Sequence, residues 1–188
     1  MDKTLDLRVQ KTRTALLRAL YELLCEKSFD KITITELCDR AVIRKATFYK
    51  HFGDKNELFS YMIREMQLRA QEEKAVQYDP ANPQSYYNSI FRYFLEFLEH
   101  NEQFIRKILS SNARSNLIDL MAEQAMLDLK EHFKADTTRA GIQADPEMLA
   151  ALYTGALIHC GEWWITQTPR PDKEVILAQC TELMKKLF

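Results

Sequence analysis

The sequence has 188 residues, of which 46% are hydrophobic and 28% charged, with only four glycines and five prolines. This composition is typical of a globular protein with a substantial core, and so few glycines argue against a sandwich or barrel with many turns. No segment approaches the roughly 18 apolar residues of a membrane span, and residues 1–10 are charged, unlike an export signal. We therefore expect an all-α protein that acts in the cytoplasm.

The charge is distributed unevenly along the chain. The net charge is −1, but residues 1–55 hold 12 Lys and Arg against 8 Asp and Glu, and the remainder is acidic. Within the basic part, five cations are opposed by only Asp39 and Asp54: Arg40, Arg44, Lys45, Lys50 and Lys55. A solvated face is an alternative explanation, but the N-terminal part is the candidate for binding nucleic acid.

Four helices are predicted in the first third of the chain. Leucines at helical spacing predict the first over 6–26, and Thr33 with Glu36 forms a capping box that begins a second, which ends at Ala41. A third is predicted over 44–52, and a second capping box over 54–57 begins a fourth that reaches about residue 74. Two short helices joined by a tight turn indicate a helix-turn-helix unit.

The third helix has two different faces. Phe48 and Phe52 share one side and, with Ile43, are expected to pack into a small core. The opposite side carries Ala46 and Lys50. Lys45 and Lys50 can reach guanine acceptors, Thr47 can contact a base, and the small Ala46 permits close approach to base edges. Tyr49, His51 and Lys55 are expected to contact phosphates.

These residues resemble a known family. The runs Thr33 to Cys38, Ala46 to Phe52 and Asp54 to Leu58 are similar to the DNA-binding domain of the tetracycline-repressor (TetR) family. The resemblance implies that one set faces bases, namely Lys45, Ala46, Thr47, Tyr49 and Lys50. It also implies that Thr33, Thr35, His51 and Lys55 contact the DNA backbone.

Three positions depart from the family pattern. Val42 stands where a turn glycine is usual, so the turn must adopt another conformation or carry strain. Arg44 replaces a serine cap and adds a cation, from which we expect stronger attraction to the DNA backbone. Ala46 replaces a frequent glycine, which should firm up the helix.

Five further helices are predicted after a proline-punctuated linker over 78–83, at 84–100, 102–110, 115–133, 146–166 and 171–187. We predict a DNA-binding domain over residues 1–58 and a ligand-binding and dimerisation domain over 59–188. The helix over 146–166 has two apolar faces, one with Leu149 and Leu157 and the other with Gly155, Ile158 and Ile165. It and the last helix are candidates for a four-helix homodimer interface, with ordinary intrachain core as the alternative.

A set of aromatic and polar residues is the candidate for an effector site. It comprises Tyr87, Phe91, Phe94, Tyr153, His159 and Trp163. No metal or cofactor is expected. His159, Cys160 and Glu162 are near neighbours on one helix, so their side chains point in different directions and cannot bind one ion together. The scattered Cys25, Cys38, Cys160 and Cys180 contain no C-x-x-C pair, so buried, reduced thiols are expected.

The sequence thus predicts a homodimeric transcription regulator, a repressor that a small-molecule effector releases from a palindromic DNA operator. Two other classes stay open. A small helical enzyme would need an acid, base or nucleophile cluster, and no phosphate-binding glycine loop or H-E-x-x-H motif is present. A helical adaptor would need an exposed basic amphipathic helix, whereas the basic segment here includes the core residues Phe48 and Phe52.

Overall fold

The computed structural model describes residues 3–73, 79, 81–140 and 144–187, and every regular element among them is helical. This confirms the predicted all-α class. The helices are α1 (Lys3–Glu26), α2 (Ile34–Ala41), α3 (Lys45–Tyr49), α4 (Lys55–Glu73), α5 (Pro83–His100), α6 (Glu102–Leu109), α7 (Arg114–Ala140), α8 (Pro146–Thr166) and α9 (Lys173–Leu187), with a 3₁₀ turn at Phe29–Lys31.

The chain divides into two compact units. The first unit comprises Met1–Gln71 and Gln103–Leu120, and the second comprises Glu72–Glu102 and Met121–Phe188. Each unit is therefore built from two separate stretches of sequence. The functional boundary that we place after residue 58 stays a prediction.

The core of the first unit is made by α1 to α4 with α6. Leu16, Leu20 and Leu24 on α1 are fully buried, as the leucine spacing predicted, and so are Leu37 and Phe48. Burying side chains of this size is the main driving force for folding a small helical domain. Tyr21 of α1 stacks on Phe104 of α6, with ring centroids 5.5 Å apart.

The second unit is formed by α5, α8 and α9 together with most of α7. Asp145 caps α8 by accepting hydrogen bonds from the Glu147 and Met148 amides, at 2.8 and 3.1 Å. The predicted ends of α8 agree with the structure. By contrast, α7 continues to Ala140, past the predicted end at residue 133. In the part of the chain that the structure describes, no helix is both long and apolar enough to cross a membrane.

Candidate nucleic-acid interface

The capping box predicted at the start of α2 is present. Thr33 Oγ1 accepts a hydrogen bond from the Glu36 amide at 3.2 Å, and the Glu36 carboxylate accepts one from the Thr33 amide at 3.0 Å. A hydrogen bond from Lys27, reinforced by those from Thr33, lowers the pKa of Glu36 to about 2. The Glu36 carboxylate therefore stays ionised at neutral pH. The side chains of Thr33 and Thr35 are exposed.

Arg40 ties α2 to α1. Its guanidinium donates to both carboxylate oxygens of Glu26, at 2.8 and 3.0 Å, and lies 3.6 Å from Glu22. Arg40 belongs to the basic cluster that the sequence predicts, but its charge is matched by these two glutamates. It orients α2 rather than adding a free cation to the surface.

The turn between α2 and α3 is a Schellman motif. The Ile43 amide donates to the Cys38 carbonyl at 2.9 Å, and the Val42 amide donates to the Asp39 carbonyl at 3.2 Å. Val42 has φ 55° and ψ 47°, the left-handed conformation usually taken by glycine, and its side chain is 90% exposed. The sequence left two outcomes for this turn, and the structure shows the strained one.

Helix α3 begins without a side-chain cap. Arg44 holds the N-cap position and accepts backbone hydrogen bonds from the Thr47 and Phe48 amides, at 2.8 and 3.1 Å, but its side chain accepts none. The helix ends at Tyr49, earlier than the predicted residue 52. Phe48 and Phe52 are buried as predicted, and their packing fixes which side of α3 faces outward.

The outward side of α3 is cationic. Arg44, Lys45, Ala46, Tyr49 and Lys50 are exposed, and Thr47 and His51 are half-buried. Among the described residues, none of the three cations Arg44, Lys45 and Lys50 forms an ion pair. We call these three residues and Ala46 the α3 cationic face. Uncompensated charge around a small side chain suits close approach to a polyanion.

Lys55 has a different environment from the other cations. Its ammonium donates to the carbonyls of Phe29, Asp30 and Ile32, at 2.9, 3.3 and 3.0 Å, and lies 4.6 Å from the centre of the Phe29 ring. Three carbonyls account for all three donors of an ammonium group. Lys55 thus fastens α4 to the 3₁₀ turn, and its donors are engaged within the protein.

One half of the capping box predicted at the start of α4 is present, and the return hydrogen bond from Glu57 is shifted by one residue. Asp54 Oδ1 accepts hydrogen bonds from the Asn56 and Glu57 amides, at 2.8 and 2.9 Å. The Glu57 carboxylate accepts from the Gly53 amide at 2.6 Å rather than from Asp54. Asp54 thus satisfies two of the N-terminal amides of α4.

His51 lies beside a basic residue that the sequence analysis did not single out. Burial, Arg13 and Lys50 together lower the pKa of His51, so the imidazole is neutral at neutral pH. Arg13 packs its guanidinium 5.2 Å from the centre of the Tyr61 ring. In the sequence Arg13 is one polar residue of α1 among several, and only the packing brings it close to His51.

Four of the six predicted effector residues lie in the interior of the second unit. Tyr153 donates to the Tyr87 carbonyl at 2.5 Å, and Tyr87 donates to Asp136 at 2.5 Å. Tyr87 also stacks on Phe133, with ring centroids 4.7 Å apart. The third and fourth of these residues are Phe91, which is buried, and Phe94, whose ring packs against Gly161.

The remaining two predicted effector residues, His159 and Trp163, lie on the exposed side of α8. They are not brought together with the interior aromatic residues. The same side of α8 and the neighbouring part of α9 expose several large apolar side chains, which we call the α8–α9 apolar surface: Met148, Leu152, Trp163, Val175 and Leu183. Ile158 and Ile165, which the sequence analysis placed on the second apolar face of α8, are buried within the single chain, in agreement with the intrachain-core alternative for that face.

Within the described residues, no group of three or more His, Cys, Asp or Glu side chains converges as a metal site would require.

Two family profiles match the chain. Residues 16–62 match "Bacterial regulatory proteins, tetR family", and residues 82–186 match "Transcriptional regulator C-terminal region". The second match alone covers more than half of the chain. The first includes all of α2 and α3, and therefore the α3 cationic face.

Individual relatives agree with the profiles. YxbF of Bacillus subtilis, an uncharacterized HTH-type transcriptional regulator, is 43% identical over 63 residues, which are 33% of this chain but 17% of that protein. YdeS of the same organism, likewise an uncharacterized HTH-type regulator, is 44% identical over 48 residues, which are 26% of this chain and 24% of that protein. The aligned segments are thus a minor part of both relatives.

The fold also matches solved structures. A TetR transcriptional regulator from Streptococcus agalactiae superimposes with a TM-score of 0.70 at 19% identity, covering 96% of this chain and 97% of that one. Because the likeness spans both chains almost completely, it includes the C-terminal helices as well as the helix-turn-helix. Together with the profile matches, it establishes that the chain belongs to the TetR family of DNA-binding, helix-turn-helix transcriptional regulators, which are not enzymes.

Proposed function

We propose that this regulator binds its operator by inserting α3 into the major groove of double-stranded DNA. The α3 cationic face carries this proposal, because Arg44, Lys45 and Lys50 are exposed, without ion pairs among the described residues, and surround the small Ala46. A helix with such a face can approach base edges while its cations attract the phosphates on either side.

The contacts divide into two classes. Lys45, Ala46, Thr47, Tyr49 and Lys50 are assigned to bases, because they lie on or at the edge of the outward side of α3. Thr35, Arg44 and His51 are assigned to the DNA backbone, and so is Thr33, whose hydroxyl and amide would first have to release the Glu36 carboxylate. In the free protein, burial, Arg13 and Lys50 lower the pKa of His51 and favour its neutral form, so His51 enters this contact as a hydrogen-bonding group.

Lys55 is omitted from the backbone contacts that the sequence predicted. A phosphate would have to compete with three carbonyl acceptors that already bind its ammonium. Its contribution to DNA binding is instead indirect, through the position of α4.

The α8–α9 apolar surface is proposed to be the homodimer interface. Its large apolar side chains are about half exposed or more in the single chain, and a second copy would remove them from water. A Cβ added at Gly155 meets no atom within 4 Å, so a partner helix can approach closely there. Two-fold symmetry then favours a palindromic operator with half-sites roughly 34–36 Å apart or a longer interval on one helical face.

We further propose that the protein acts in the cytoplasm, as a repressor that a small-molecule effector releases from DNA. Among the predicted effector residues, Tyr87, Phe91, Phe94 and Tyr153 remain candidates, because Tyr87 and Tyr153 are buried in mutual contact and Phe91 and Phe94 follow Tyr87 at helical spacing on α5. His159 and Trp163 fit the dimer surface better. The Tyr87–Asp136 hydrogen bond sets a carboxylate beside aromatic rings, a combination suited to an organic cation.

The DNA-binding proposal is tested by selecting the operator from genomic fragments and then comparing two lysine variants. Lys50→Ala should weaken operator binding by about 1–3 kcal/mol and relax the base preference at one position in each half-site. Lys134→Ala, which removes an exposed lysine outside the helix-turn-helix, is the control for net charge. Equal losses in the two variants, on operator and random DNA alike, would refute the assignment.

The dimer proposal is tested by sedimentation. Gly155→Arg should yield monomers at micromolar concentration, whereas Ser115→Arg, at an exposed position on α7, should remain dimeric. A dimeric Gly155→Arg protein would move the interface to another surface.

The effector proposal is tested by a thermal-shift screen of small apolar and cationic compounds, followed by titration of a preformed operator complex. By linkage, a compound that lowers operator affinity by some factor must bind the operator complex more weakly by the same factor. A compound that stabilises the protein without changing operator affinity does not act as the effector.

A further inference from the structure

Two cysteines that are distant in sequence face each other in the second unit. The Sγ atoms of Cys160 on α8 and Cys180 on α9 are 3.9 Å apart, although 20 positions separate the residues. Both side chains are half-buried. A disulfide needs the two sulfurs to come closer by about 2 Å, a change within reach of side-chain rotation and a small helix movement.

Neighbouring contacts hold the two thiols in this arrangement. Trp164, one turn after Cys160, is buried, and its indole nitrogen donates to the Pro171 carbonyl at 2.8 Å. Thr181, next to Cys180, hydrogen-bonds to Asn88 of α5 at 3.1 Å. The proximity of the sulfurs thus follows from packing on both helices.

The pair also differs from the other cysteines in reactivity. The two thiols can share a hydrogen bond, and with Cys180 as the donor it lowers the pKa of Cys160 and favours its thiolate, the form that reacts as a nucleophile. Burial raises the pKa of Cys25 and Cys38, and Cys38 is only 2% exposed. Oxidation should therefore be selective for the Cys160–Cys180 pair.

We propose that Cys160 and Cys180 form a redox-active dithiol site that hydrogen peroxide converts to an intrachain disulfide. The Cys160 thiolate attacks one peroxide oxygen, the O–O bond breaks, and the departing hydroxide takes up a proton to become water. The Cys160 sulfenic acid is then attacked by the Cys180 sulfur, which loses its proton. The S–O bond breaks, and that hydroxide leaves with this proton as a second water.

The disulfide would join α8 covalently to α9. These helices also carry the α8–α9 apolar surface, so oxidation would fix the relative position of its two parts. A dithiol reductant would reverse the reaction. Formation of the bond is independent of the proposed dimer and of DNA binding, and it can be measured without either.

The experiment treats the full-length reduced protein with equimolar hydrogen peroxide and maps the tryptic peptides by mass spectrometry. Trypsin cleaves after Lys173, which separates the two cysteines, so a Cys160–Cys180 disulfide appears as one cross-linked peptide pair. We expect this pair to dominate and to disappear on treatment with dithiothreitol. In Cys180→Ser, a dimedone adduct should accumulate on Cys160, which wild type should lack.

A variant with both Cys25→Ser and Cys38→Ser is the matched control, since it retains only the proposed pair and should form the cross-link as wild type does. Circular dichroism establishes that each variant is folded. Two results would overturn the proposal: oxidation that ends at separate sulfinic or sulfonic acids without a cross-linked peptide, or disulfides that link different chains. Operator affinity does not decide the proposal, because the disulfide can form without changing DNA binding.

Discussion

The helix-turn-helix and the α5–α8 contact are stabilised in different ways. Around α2 to α4, polar contacts close to the helix ends satisfy the backbone: Thr33 and Asp54 cap helices, and Lys55 binds three carbonyls. In the second unit, α8 approaches α5 at Gly161, whose missing side chain leaves room for the Phe94 ring. The contacts around α2 to α4 are thus hydrogen bonds at helix ends, whereas the contact at Gly161 depends on shape, even though Tyr153 of α8 also donates to the Tyr87 carbonyl of α5.

The two regions therefore tolerate different changes. Gaining or losing a helix cap changes the free energy of unfolding by about 1 kcal/mol, and the helices remain in place. A close contact between packed helices has no such freedom, because added volume must displace a neighbouring side chain or helix. Substitutions of each kind can test this contrast.

The largest effect is expected from Gly161→Ala. The new Cβ would overlap the Phe94 ring and lie 2.9 Å from Leu98. Overpacking of this kind costs about 1–3 kcal/mol or more, and here it should exceed the roughly 1 kcal/mol that alanine gains over glycine in a helix. We expect a net loss of about 2 kcal/mol, measured by chemical denaturation at fixed protein concentration.

Gly155→Ala on the same helix is the control, because within the single chain its Cβ meets no atom within 4 Å. Since residue 155 also lies in the proposed dimer contact, sedimentation at the same protein concentration should show that the variant still dimerises. It should leave stability unchanged or raise it by up to about 1 kcal/mol. If both variants lost the same stability, the close approach of α5 and α8 would not be what requires glycine at residue 161.

The second prediction concerns two lysines of the first unit. Lys55→Ala removes an ammonium that binds three carbonyls, so it should destabilise the protein by about 1–2 kcal/mol while leaving base preference unchanged. Lys50→Ala should do the reverse, because Lys50 is exposed on the α3 cationic face. Thermal denaturation and operator binding of both variants measure the two effects separately. A stable Lys55→Ala protein with a reduced salt dependence of binding would restore Lys55 as a phosphate contact.

The difference between local contacts and contacts that join distant segments explains which features could be predicted from the sequence. The Thr33 cap, the buried Phe48 and the ends of α8 depend on local patterns, and the structure agrees with each of them. The carbonyl contacts of Lys55 depend on the position of a 3₁₀ turn more than 20 residues away. A lysine beside a reading helix is equally compatible with a phosphate contact, so local pattern alone cannot distinguish the two.

The second unit was harder to predict because its contacts join distant segments. Hydrophobic spacing gave α8 two apolar faces but could not tell which packs within the chain, whereas the structure buries Ile158 and Ile165 and brings α5 against Gly161. The Cys160–Cys180 pair has no motif in the sequence for the same reason. Fixed spacing identifies local polar contacts, whereas the register of packed helices depends on the whole unit.

The third prediction uses the strained turn. Val42→Gly should stabilise the protein by about 1 kcal/mol, because glycine adopts the left-handed conformation of Val42 without strain and the exposed valine side chain contributes little burial. The gain is limited by the greater freedom of glycine in the unfolded chain. Val42→Ala keeps the left-handed strain of an L-residue and should gain less. If thermal denaturation ranked alanine above glycine, φ at residue 42 would not be the source of strain.

The smallest effect on stability is expected from Arg44→Ser, and it should oppose the effect on DNA binding. Serine at the N-cap can accept a hydrogen bond from an amide of the first turn of α3, which the Arg44 side chain does not do, so stability should rise by about 0.5 kcal/mol. The same change removes a cation from the α3 cationic face, so operator affinity should fall and the slope of log affinity against log salt should decrease by about 1.

Arg44→Lys separates the two contributions, because it retains a charge but supplies no cap. It should bind DNA nearly as wild type does, with no gain in stability. An Arg44→Ser protein that is more stable and binds the operator with unchanged affinity and salt dependence would exclude Arg44 from the backbone contacts. In that case, the electrostatic attraction of α3 to DNA would have to be attributed to Lys45 and Lys50.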